Sequence, residues 1–171
     1  MKKLVLVALG SILFFSCQQE KTAFVDNEKL IEESQEKKDL EAQYNTKIES
    51  FGKKKDSVGK AFQIEVQEFQ AKADKLAKAK AQEMYQSLGQ KQQFLQQQLQ
   101  MEEQGISKNF QTKIDSLLSK VDSSIEDYGK ANGYSYIFGK NKAGSVLYGS
   151  DKNDITEAVI EKLNKEYSDN K

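Results

Sequence analysis

Few side chains in this sequence can do chemistry, and they are scattered. The 171 residues include no His and a single Cys, and all 26 basic residues are Lys. Without imidazole, the usual general base and commonest metal ligand are both missing. Adjacent carboxylates occur, as in Glu32/Glu36 and Glu102/Glu103. They fall on helical stretches rich in Lys and Gln, where they serve as solvated polar groups. There is no Gly-rich phosphate loop and no cluster with metal-ligand spacing. The expectation is therefore no enzyme, with no catalytic, cofactor-binding or metal residues. One reactive atom stands apart, the thiol of Cys17. It follows Ser16 at the end of an apolar run, Leu4 to Phe15, which is itself preceded by Lys2 and Lys3.

A basic head, an apolar run of twelve and then a polar stretch have the form of an export signal over residues 1–16. The run is too short to span a bilayer comfortably. A small residue directly before Cys resembles the lipobox of bacterial lipoproteins, although Phe14 stands where Leu is usual. The resemblance implies cleavage before Cys17, lipidation of its thiol and a membrane anchor. At about 0.8 kcal/mol per buried CH₂, several acyl chains would hold the protein firmly. The other reading is an ordinary cleaved signal with an incidental cysteine.

The rest of the composition agrees with export. One cysteine permits no disulfide framework. Removing residues 1–16 takes away Lys2 and Lys3, leaving 24 lysines against 26 acidic residues. A chain so near neutral, with no Arg, is not expected to bind nucleic acid. The remaining residues, 17–171, make a single slender domain.

The elements follow from periodicity. Residues 22–26 (Thr-Ala-Phe-Val-Asp) read as a short strand, and Asp26 or Asn27 can cap the helix that follows. From 27 to 131 there is no Pro, and apolar residues recur at spacings of three and four. They run Leu40, Tyr44, Ile48, Phe51, Val58, Phe62, Val66, Phe69 and Leu76, then Leu88, Leu95, Leu99, Ile106, Phe110, Ile114, Leu117, Val121 and Ile125. Such a seam needs a partner helix. Folding back near residue 80 supplies one, giving a long antiparallel helical hairpin with Ile48 opposite Thr112 to Ile114. Each arm of about fifty residues would reach about 75 Å. Phe94 and Met101 in the Gln-rich stretch are assigned to the same stripe as Leu95 and Leu99. Around the turn, Lys53 to Lys91 carries nine Lys against five acidic residues. Met84, Tyr85 and Leu88 lie there, where no deep core is available. Either this is an ordinary solvated charged face, or a basic tip gathering flexible chains by weak contacts.

Asn132-Gly133 ends the helix. Residues 134–149 read as a β-hairpin, with strands at 134–138 and 145–148 about an Asn141–Gly144 turn. A final helix spans 154–166, with Asp154 and Glu157 as a capping-box variant. The expected class is mostly α with a small β part. Three strands and one helix make a poor closed core, so oligomerisation is expected to bury Phe24, Ile137, Phe138, Val146 and Leu147.

The order of these features resembles the OmpH/Skp family of periplasmic chaperones. The resemblance rests on Ala23-Phe-Val-Asp26, the Lys/Gln-rich hairpin, Gly133-Tyr-Ser-Tyr-Ile137, Val146-Leu-Tyr148, Asp154-Ile-Thr156, Val159 and Leu163-Asn164. It implies a homotrimer with a small intersubunit β-barrel, to which Phe24, Val25, Ile137, Phe138, Val146 and Tyr148 would contribute. It also implies three hairpins enclosing a cavity that holds unfolded outer-membrane proteins without ATP. On this chain the client contacts would fall at Phe69, Leu76, Met84, Tyr85 and Leu88. Two features depart from the best-known members, the near-neutral charge and the lipid anchor. A structural or tethering lipoprotein with a coiled-coil spacer is the rival reading.

Overall fold

The computed structural model describes residues 20–142 and 144–171. The expected signal peptide and the lipidation residue Cys17 lie outside them. Strand β1 (Thr22–Asp26) leads directly into helix α1 (Asn27–Glu33), followed by α2 (Gln35–Ala73) and α3 (Lys78–Asn132). Strand β2 (Tyr136–Lys140), a 3-10 turn (Asp151–Asn153) and helix α4 (Thr156–Asp169) complete the chain.

Local chemistry sets the boundaries. Asp26 caps α1 by accepting from the Lys29 N–H at 3.1 Å. Ser34 is fully buried and adopts φ −59°, ψ 125°, which stops α1. Its hydroxyl oxygen then accepts from the Lys37 N–H, so the residue that ends one helix starts the next. Helix α3 stops at Gly133, whose φ of +67° is readily open to glycine.

The two strands run parallel, with Thr22 opposite Tyr136, Phe24 opposite Phe138 and Asp26 opposite Lys140. A parallel pair needs a long crossover, and here α1, α2 and α3 are that crossover. Ala23 and Val25 face the helices. They pack with Leu30 of α1, Leu117 and Val121 of α3, and Val159, Ile160 and Leu163 of α4. The core therefore sits where the hairpin meets the sheet.

The β-hairpin expected over 134–149 does not form within the chain. β2 ends at Lys140, and among the described residues 144–149 carry no strand. The partner of β2 is β1. The following segment turns at Gly144, whose N–H donates to Asn141 C=O at 3.1 Å. It then lies over β1, with the Gly149 backbone against the Phe24 ring. The third position beside β1 is an isolated parallel bridge from Phe24 to Asp154, with the Ile155 N–H donating to Phe24 C=O.

Candidate functional site

The arm is the one feature a small domain does not need for its own stability. At 1.5 Å per residue, the 39 residues of α2 and 55 of α3 extend about 58 and 82 Å. The reversal occupies 74–77, a few residues before the expected position near 80. It lacks Gly and Pro and closes through local bonds, from the Lys75 N–H to Lys72 C=O and from the Leu76 N–H to Ala73 C=O. The register shifts accordingly. Tyr44 stacks on Phe110 at 4.3 Å, and the ion pairs Lys54–Glu102 and Lys120–Glu36 bridge the arms at 2.6 Å each. Ile48 is thus not opposite 112–114.

Two helices can cover only one side of each other, and the seam shows it. Leu40 and Phe51 are buried on α2 and Leu117 and Val121 on α3, all toward the root. Between Phe51 and Leu117 no residue is buried. Val58, Phe62, Leu95 and Leu99 line an open hollow of about 550 Å³. Further out, Phe69, Met84 and Leu88 line a smaller one of about 180 Å³, with Glu65, Glu68, Lys72 and Ser87 at its margin.

The residues expected to meet a client therefore divide. Phe69, Met84 and Leu88 share one half-buried hollow, Leu76 is half-buried at the reversal, and only Tyr85 stands out at 72% exposure. Ile64, Phe94 and Met101 are each more than half exposed, on helix faces turned away from the seam. Sequence reasoning assigned Phe94 and Met101 to the seam. Their seven-residue spacing fits a stripe, but it is a different stripe from that of Leu95 and Leu99.

The body residues divide as well. Val25 is in the core, with Ile137 packed against it. Phe24 is buried on the opposite face of β1, where Gly149 covers it. Tyr136 and Phe138 flank it on β2, stacked at 6.1 Å and about half exposed. Val146 is half-buried, whereas Leu147 and Tyr148 are 91% and 88% exposed. An aromatic sheet face, an exposed Leu-Tyr pair and the edge of β2, unpaired among the described residues, thus lie together at one end of the molecule.

Charged groups fasten the root. Asp39 of α2 accepts from Tyr167 of α4 and from Lys171, just past the end of that helix, at 2.9 and 2.8 Å, and from Gln35 at 2.8 Å. These bonds, that from Lys171 foremost, pull the Asp39 carboxyl down to about 2. The same contact holds the Lys171 ammonium and the Tyr167 phenol above their usual values. Lys29 is likewise raised by its bond to Glu157, which ties α1 to α4. Asn164 bridges the α1/α2 break. Its carbonyl oxygen accepts from the Gln35 N–H at 2.8 Å, and its amide donates to Glu33 C=O at 3.4 Å. No sequence signal singled out Asn164 for this role, because its partners are 130 residues away. Among the described residues no group of three His, Cys, Asp or Glu is placed to hold a metal ion. None of the described helices is long and apolar enough to cross a membrane.

These features define a class: an arm-bearing protein whose accessible apolar surface is spread along a projection and one sheet face. The family model for OmpH-like outer membrane proteins matches residues 21–163, and the chain belongs to that family. A solved structure from Caulobacter crescentus CB15, assigned as an OmpH-like outer membrane chaperone, superposes with a TM-score of 0.75 over 88% of each chain. At 16% identity that likeness establishes the shared fold. No curated protein matches the sequence.

Proposed function

We propose that the protein is an ATP-independent holdase of the cell envelope, keeping unfolded outer-membrane or exported proteins soluble by many weak contacts along its arms. The observation that carries this reading is the half-covered seam. From Val58 to Leu99 the apolar residues are held in a row, yet each remains partly accessible. An unfolded chain offers scattered apolar side chains, and a row of shallow hollows can accept them without demanding one sequence. Family membership and the fold likeness support the same reading. The matching test mixes purified protein with an unfolded β-barrel protein, without nucleotide, and follows light scattering. Suppressed aggregation at stoichiometric amounts is expected. Unchanged aggregation, with the protein instead co-sedimenting with cell wall, would favour the tethering role.

Self-association is part of the proposal. Tyr136, Phe138, Leu147 and Tyr148, beside an edge of β2 that no described residue pairs, offer a surface that further copies would cover. A homotrimer is the expected assembly, and light scattering on the eluting protein measures it. A monomer at working concentration would remove this part. The reading places the protein in the periplasm, held by a lipid on Cys17. Support for the anchor is the residue pattern of 1–17, and mass spectrometry of the N-terminal peptide is its test.

A further inference from the structure

The arm is held very differently along its length. At the root, α4 and Lys171 just past its end grip α2 through three side chains. Asn164 satisfies backbone groups on both sides of the α1/α2 break, while Tyr167 and Lys171 both donate to Asp39. The other arm is tied to α4 where buried Ser124 donates to Glu166. A break in a helix is ordinarily the place where a projection swings, but this one is bonded on both sides and buried at Ser34.

Beyond the root three features coincide. Phe51 is the last buried seam residue before the arm loosens. Next to it is Gly52, and on the returning arm Gly105 falls within about one turn of the same level. The cross-arm contacts Tyr44–Phe110 and Lys54–Glu102 bracket that level from either side. Neither glycine is there for space or for backbone angle. A Cβ at either position meets nothing within 4 Å, and both have ordinary helical φ. Alanine would fit and make both helices firmer. Gly59 and Gly89 have no glycine opposite them.

We propose that the arm bends as a two-helix unit at the Phe51/Gly52/Gly105 level and not at its root. Phe51 and the Lys54–Glu102 pair keep the helices together while the weakest position of each yields at the same height. The distal half, with the Val58–Leu99 and Phe69–Leu88 hollows, then moves as one piece on a fixed base. That this motion serves the holding of unfolded chains rests on the proposed function; the flexure itself does not.

Electron-spin distance measurements test it without any client. In a Cys17→Ser background, one label pair is placed at Glu161 and Gln70, spanning the glycine level, and another at Glu161 and Asn45, stopping short of it. All three positions are exposed. Doubly labelled chains are diluted into unlabelled protein so that distances within one chain dominate. A broad distribution is expected for Glu161/Gln70 and a narrow one for Glu161/Asn45. The Gly52→Ala/Gly105→Ala double variant should narrow the first about twofold and leave the second unchanged. Equal breadth in both pairs would place the motion at the root and overturn the proposal. So would a Glu161/Gln70 distribution that the double variant leaves as broad as before. Because the measurement contains no client, a failed holdase assay cannot be mistaken for a failed flexure.

Discussion

Gly149 offers the sharpest test of how the C-terminal segment is seated. Its φ is not in the left-handed region, so its backbone conformation is open to alanine. Space is what alanine lacks. A Cβ built there would come within 2.7 Å of Phe24 Cδ1 and 3.0 Å of Cζ, well inside normal contact. Phe24 has little room to retreat, being 7% exposed and fixed in the β1 ladder between Phe138 and Asp154. Overpacking of this kind costs about 1–3 kcal/mol. For a domain of this size that corresponds to a fall of about 2–12 °C in melting temperature. Urea unfolding followed by circular dichroism reads the loss for Gly149→Ala alone and in a Phe24→Leu background. Leucine lacks the outer ring atoms that the new methyl would strike. The double-mutant cycle should therefore show Gly149→Ala costing at least about 1 kcal/mol less there. An equal cost in both backgrounds, or no cost in the parent, would show that the segment does not lie over Phe24 in solution.

Three further outcomes are expected. Leu117→Ala removes a fully buried side chain where arm, sheet and α4 meet, and should cost about 2–5 kcal/mol; Leu95→Ala, in the half-covered seam, should cost clearly less, and urea midpoints compare them. The Asp39 carboxyl is held down to about 2, below its usual 3.8, so its bonds from Lys171, Gln35 and Tyr167 stabilise the fold fully above pH 4. That contribution should fade as pH falls from 4 through 2, and Asp39→Asn should flatten this part of the pH–stability profile. Tyr85→Ser should stay within about 0.5 kcal/mol of the parent in stability, since the ring is largely exposed, yet weaken suppression of client aggregation. Met84→Ser, which opens the seam, should lower both, and unaltered suppression by Tyr85→Ser would remove that side chain from the contact surface.

Much of the architecture is written in local pattern. A seam at spacings of three and four, kept up over a hundred residues without proline, needs a partner helix, and doubling back is the most economical way for one chain to supply it. The helix end at Gly133 and the short strand closing at Asp26 are equally local signals. The helical hairpin on a small sheet was therefore legible from residue types alone, and the family from a resemblance carried by segments such as Gly133–Ile137 and Asp154–Thr156.

What the sequence could not settle depends on partners far apart in the chain. The 134–149 stretch has the alternation of a β-hairpin, but strand pairing is decided by what else is near. β1, brought alongside β2 by the arm, takes its ladder in parallel, and the Gly144–Gly149 segment crosses over Phe24 instead. The turn near 76 carries no marker residue, so only the fixed register of Tyr44 on Phe110 locates it. Phe94 and Leu95 are neighbours in sequence and alike in hydrophobicity, yet one faces water and the other the seam. A helix has many possible stripes, and packing against a second helix selects one. Asn164 is an ordinary polar residue until the fold sets it across the break at Ser34, because a cap made from 130 residues away leaves no trace in local spacing.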